Sequence, residues 1–243
     1  MTDTQTSPAL APPTPSRPHV PGLRVTAVTL AGAGIALAAG EQLIGDLDQA
    51  DDVALIAAGG DRLAAGGLTQ LLAAVLLCFA AAGLGRIVWP SITGRIGWVL
   101  LMVAVPCAGA FAAFHLILLE TGAPGLDPAA MQQFVVERFQ GPGPWGVPIG
   151  LFTLLGPLAL LLVLIALVRV RTASLAAPAV FLVGAVLDQV PAGGALELVA
   201  LWLVALGLVL GAVGLWRGAR SGLAERPATP RQYDVRRRRG ACG

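Results

Sequence analysis

Lysine is absent from the 243 residues, and charged side chains of any kind make up only 12% of them, where a soluble domain carries roughly 25%. Histidine occurs twice, tyrosine once and cysteine three times. Each scarcity excludes something. His115 lies in an apolar run and His19 in a Pro-rich N-terminal stretch, so the paired axial ligands of a membrane b-type haem cannot be assembled. Cys78 and Cys107 sit in apolar runs and Cys242 beside the C-terminus, a scatter that gives neither a metal-binding spacing nor a disulfide framework. Cys242 is also not fourth from the end, as prenylation requires. No HExxH, nucleophile elbow, phosphate loop or dinucleotide fingerprint frames the Ser, His and Asp residues. No cofactor or resident metal is expected, and an enzyme is not the expected class.

What remains is apolar: 56% of residues are hydrophobic and the mean hydropathy is +0.78, which argues against a soluble globule. The clearest segment is Val147 to Val168, a run of 22 residues without a charge, just over the roughly 30 Å of a bilayer core at about 1.5 Å per residue. Arg169 and Arg171 close it at one end and the uncharged GPGPWG turn at the other. Spans are expected at 25–45, 63–85, 96–119, 147–168, 173–190 and 195–216, the fifth being the shortest and carrying Pro178. We therefore expect an all-α polytopic membrane bundle of six transmembrane helices over residues 23–217. Asp127 as N-cap and Pro128 at the first helical position point to a short amphipathic helix over 127–140 outside the spans. Residues 1–22 form a Pro-rich arm, and 218–243 an Arg-rich tail, both expected to be disordered. The arm lacks the basic start, apolar run and cleavage site of a signal peptide, so the first span should remain as an anchor.

The charges orient this layout. With the N-terminus placed in the cytoplasm, inner segments collect 14 of the 16 arginines, leaving Arg62 and Arg138 outside, as the positive-inside rule demands. Both termini are then cytoplasmic, and the GC-rich-type usage of Arg, Ala and Gly fits a bacterial plasma membrane. Eleven of the 14 acidic residues fall at outer helix ends or loops.

A first span, an outer loop closing in DRLAAGGL before the second span, short Arg-marked inner turns and a long outer loop before the fourth span make residues 24–217 resemble the bacterial membrane proteins catalogued as domain of unknown function 4386. That resemblance implies a membrane helix bundle and carries over no catalytic residues.

Glu41, Gln42, His115, Glu120, Asp188 and Glu197 all belong to the outer ends of spans. Ionisable groups at membrane depth are costly and usually face a cavity or a partner, although residues one turn from a helix end can also reach interfacial water. The Glu41-Gln42 pair recurs as Asp188-Gln189 at the outer end of another span. Three function classes stay open. One is a bundle that binds or passes a small solute or cation through an outward-facing polar pocket. Another is a scaffold or regulatory subunit, forming a homo-oligomer or joining a membrane partner through the glycine-lined first and sixth helices. The last is a membrane enzyme using His115 and Glu120. The basic run Arg236, Arg237, Arg238 and Arg239 suits an anionic leaflet, and no nucleic-acid partner is expected.

Overall fold

The computed structural model describes residues 22–45, 53–121, 125, 127–135, 146–190 and 195–221. They form eight helices: α1 Gly22–Ile44, α2 Val53–Ala58, α3 Gly60–Val88, α4 Ile92–Thr121, α5 Pro128–Val135, α6 Gly146–Arg169, α7 Ala176–Leu187 and α8 Ala195–Ser221. No strand occurs among the described residues. Residues 136–140 of the expected amphipathic helix, the acidic loop around Asp48, the N-terminal arm and the tail with Arg236 to Arg239 lie outside the described residues.

Five helices, α1, α3, α4, α6 and α8, are long and apolar enough to cross a membrane. Large apolar side chains stand exposed along them, among them Val28, Leu72, Phe79, Val103 and Leu154. Such a surface is untenable in water and natural against lipid. The chain is a multi-pass membrane protein. Against the expected 18-residue span over 173–190, α7 has 12 helical residues, or about 18 Å. Local backbone chemistry shortens it at both ends. On entry, residues up to Leu175 belong to the turn from α6. On exit, Val190 precedes Pro191 and is biased away from helical geometry.

The helices pack in the order α6, α4, α3, α1, α8, α7, and most neighbours meet at a glycine. A Cβ on Gly83 of α3 would overlap Thr26 Oγ1 of α1, and one on Gly66 would lie 2.9 Å from the Gly40 carbonyl oxygen. On the other flank of α1, Gly34 sits against Leu208 of α8. Gly184 of α7 admits the backbone of α8 at Val204, while Gly207 of α8 admits Phe181 of α7. Gly97 of α4 receives Leu162 of α6. Without water to drive apolar faces together, such close approach supplies the van der Waals contact that holds membrane helices. The glycines of α1 and α8, expected to serve a partner, are spent inside the chain. By contrast, α6 and α7, consecutive in sequence, touch only sparsely.

Polar contacts pin the bundle at its ends. Trp98 Nε1 donates to the Ala81 carbonyl at 2.8 Å and stands edge-on to Trp89 at 5.6 Å. Arg169 Nη1 donates to Thr93 Oγ1 at 2.6 Å. After α6 the chain turns in a Schellman motif: the Thr172 N–H donates to the Leu167 carbonyl and the Arg171 N–H to the Val168 carbonyl, both at 2.9 Å. Arg171 there has φ +59°, a position that glycine usually fills and that costs an L-residue roughly 1–2 kcal/mol. Seven of the eight described arginines, all but Arg62, lie at the end of the bundle that holds this turn, and the described acidic side chains lie at the other.

The α1–α3 contact yields a test. Gly66→Val places a side chain 2.5 Å from Ile44 Cγ1 and should destabilise the protein by about 1–3 kcal/mol, read as a lower melting temperature in detergent. Gly109→Ala, where an added Cβ meets nothing within 4 Å, should melt at or above the parent; a comparable loss in both variants would refute the packing argument.

Candidate functional site: a cavity at the open seam

Where α6 and α7 fail to close on each other, a partly open cavity of about 160 Å³ remains. Five helices wall it. Leu37 and Glu41 come from α1, Phe111 from α4, the stretch from Phe152 to Leu160 from α6, Phe181 to Gln189 from α7 and its C-terminal turn, and Leu201 with Val204 from α8. Most of these residues lie in the half of the bundle that bears the acidic side chains, and Leu160 and Phe181, both buried, line it near the middle of the bundle. An apolar cavity of about 150 Å³ is enough to hold a benzene-sized molecule.

Its polar groups are few and placed at one end. Glu41 occupies the last turn of α1, and Asp188 caps α7, its backbone N–H bonded to the Gly184 carbonyl at 2.9 Å. Gln189 follows Asp188 in the same turn. On α6, Thr153 and Pro157 line the wall together. Proline has no N–H, so the carbonyl of Thr153, four residues earlier, loses its usual helical donor while the Thr153 hydroxyl donates back to the Ile149 carbonyl at 2.9 Å. Aromatic surface supplies the rest. Phe111 and Phe152 pack with ring centroids 5.7 Å apart, and Phe181 also lines the cavity. The site therefore combines two carboxylates at the ends of α1 and α7 with three phenyl rings.

Of the six residues singled out by sequence, the structure brings Glu41 and Asp188 to this one cavity. Gln42 is next to Glu41 in the chain, its Oε1 accepting from Trp202 Nε1 of α8 at 3.3 Å, a contact that ties the last turn of α1 to α8. Glu120, near the end of α4, and Glu197, in the first turn of α8, are exposed and line no part of it. His115 is fully buried behind Phe111, which meets its ring edge-on at 4.7 Å, with Phe114 at 5.2 Å on another side. Neither His115 nor Glu120 lines this cavity.

The site residues that the sequence does not single out are Phe111, Phe152, Thr153 and Phe181. Thr153 and Pro157 carry the one available signal, because a proline four residues after a hydroxyl side chain marks a freed carbonyl on the same helical face. Gln70 is a further omission. It is 2% exposed on α3, pressed on Gly40 of α1, and neither its amide oxygen nor its nitrogen has a protein partner. The same is true of both ring nitrogens of His115; the Phe111 carbonyl one turn earlier approaches without meeting hydrogen-bond geometry. Among the described residues no group of three or more His, Cys, Asp or Glu side chains is placed to hold a metal ion.

No protein-family model, no curated protein and no solved structure matches this chain. The site stands on its own geometry.

A buried amide without partners contributes desolvation cost and no compensating bond. Gln70→Met, close in volume and apolar, should melt no lower than the parent in detergent. A drop of several degrees would reveal a hydrogen bond made by Gln70 in the folded protein.

Proposed function

We propose that the chain is a six-crossing protein of a bacterial plasma membrane, both termini cytoplasmic, that binds a small solute carrying positive charge in the α1–α4–α6–α7–α8 cavity. The observation that carries this reading is the convergence of Glu41 and Asp188, from opposite ends of the sequence, on one cavity with an aromatic interior. Two carboxylates and three phenyl faces make a chemistry suited to an organic cation with an apolar body. The carboxylates attract the charge, and the ring faces stabilise it further by about 0.5–2 kcal/mol each where water is excluded.

Orientation follows from the arginines. Cytoplasmic segments carry the excess of Arg and Lys, so the Arg-rich end faces inward and the cavity mouth outward. The sixth crossing is supported by contacts of α7: Gly184 near its outer end meets Ala200 to Val204 of α8, and Thr172 and Ala173 before its start meet Gly214. Short as it is, the segment runs beside much of α8. The resemblance to domain of unknown function 4386 belongs to the same proposal and adds no ligand.

Transport across the membrane by the same cavity would need the inner half of the bundle to open, and α6 and α7, which touch only sparsely, have little packing to lose. Binding comes first experimentally. Melting temperature of the purified protein is measured against a panel of primary, secondary and quaternary amines, neutral analogues of equal shape, and divalent cations. A ligand at 100 times its Kd should stabilise by about 2.7 kcal/mol. The expected pattern is a shift with amines alone, lost in Glu41→Gln and in Asp188→Asn. A shift with neutral analogues that survives both substitutions would overturn the charge assignment, and no shift across the panel would overturn the solute-binding reading.

A further inference from the structure

A second groove lies at the opposite, Arg-rich end, between the α6–α7 turn and α8. It has a volume of about 270 Å³ and is lined on one side by Arg171, Thr172 and Ser174 and on the other by Arg217 of α8, with Leu210 and Val213 one to two turns deeper. Arg171 and Arg217 are both exposed. We propose that this groove binds the phosphate of an anionic phospholipid, with the acyl chains lying along Leu210 and Val213 toward the bilayer interior. The inference is independent of the solute cavity and of which side of the membrane this end faces.

Three observations carry it. First, the position of Arg171 is structurally uneconomical. It is the left-handed residue of a Schellman turn, with φ +59°, where glycine closes the same pair of hydrogen bonds without steric conflict. A strained residue that persists where an unstrained one would serve points to work for its side chain, and this side chain lines the groove. Second, the groove is built to a fixed width. A Cβ on Gly214 would collide with the Thr172 carbonyl oxygen, so α8 presses directly on the turn, while the Thr172 hydroxyl donates to the Leu167 carbonyl at 3.0 Å and holds the turn closed. The Ser174 hydroxyl adds a neutral donor beside the two guanidinium groups. Third, the groove sits at headgroup depth. Trp216, one residue before Arg217, is flanked by the guanidinium carbons of Arg24 and Arg220 at 5.6 and 5.9 Å from its ring centroid, and indole rings settle at the membrane interface. Guanidinium pairs match phosphate oxygens in geometry as well as charge, and basic pockets between transmembrane helices at this depth take lipid headgroups. The polar-above-apolar layering of Arg171, Arg217 and Val213 matches a phospholipid better than a free ion.

The experiment uses the full-length protein in mixed vesicles, following quenching of its tryptophan fluorescence by brominated phosphatidylglycerol against brominated phosphatidylcholine. The variants are Arg171→Gly, Arg217→Gln and a tail variant with Arg236 to Arg239 replaced by Gln. The wild type should prefer phosphatidylglycerol. Arg171→Gly and Arg217→Gln should each lower that preference by about fivefold, the worth of one arginine near an anionic headgroup. Because Arg171→Gly removes a strained backbone position, it should melt at or above the parent in phosphatidylcholine, which separates loss of binding from loss of fold. The tail variant should retain most of the preference. Three results would overturn the proposal: preference kept in both groove variants, preference lost with the tail alone, or millimolar inorganic phosphate abolishing the difference between the two lipids.

Discussion

Backbone-to-backbone approach at small residues is the constraint on which the bundle rests. In lipid, apolar side chains gain little by touching one another rather than acyl chains, so helix association depends on contact area and on how near two backbones can come. Gly40 with Gly66, Gly83 with Thr26, Gly184 with Val204 and Gly97 with Leu162 set that distance at successive interfaces. Among the described glycines for which contacts are known, none performs this service between α6 and α7. Those two helices are joined by a tight turn at one end and left apart at the other, and the cavity is the space that results. Site and packing are thus one arrangement seen from two sides: the interfaces that close the bundle define, by omission, where a ligand fits.

The membrane character and the helical class were readable from composition and from charge-free runs, because both depend on properties that add up along the chain. The convergence of Glu41 and Asp188 was not, since it requires α8 to stand between α1 and α7, an order that no local pattern encodes. Glycine spacing in the first and sixth helices announced close contacts and left their partner open; the structure assigns those contacts to α3, α7 and the chain's own core. The 18-residue apolar stretch over 173–190 concealed a short helix because a turn held by backbone hydrogen bonds and a pre-proline residue consume its ends, and hydropathy does not register either. Arg171 looked like an ordinary stop charge. Only its backbone angle shows that it occupies a glycine position.

Gln70 and His115 illustrate a different limit. Both are buried in the packed half of the bundle, one against α1 and the other among Phe111, Phe114 and the α3 face at Gly67. A sequence shows that such residues are unusual in an apolar span, but whether they find each other, the backbone or nothing is a matter of helix rotation. Here their polar atoms find no protein partner, and Phe111 is what separates His115 from the cavity.

The brevity of α7 has a consequence for the lipid around it. In the proposed six-crossing arrangement its outward face, with Leu182, Val183 and Val186 exposed, offers the bilayer an apolar belt of about 18 Å beside neighbours that offer a full hydrocarbon thickness. Such mismatch is relieved by local thinning and by polar flanks reaching toward the headgroups, at a cost of fractions of a kcal/mol per Å. Arg171 at one end of this segment and Asp188 at the other are those flanks. In that arrangement the membrane would be drawn inward along the same side of the protein on which the seam opens, and a solute partitioning at the interface would reach the cavity without first crossing the full depth of the hydrocarbon.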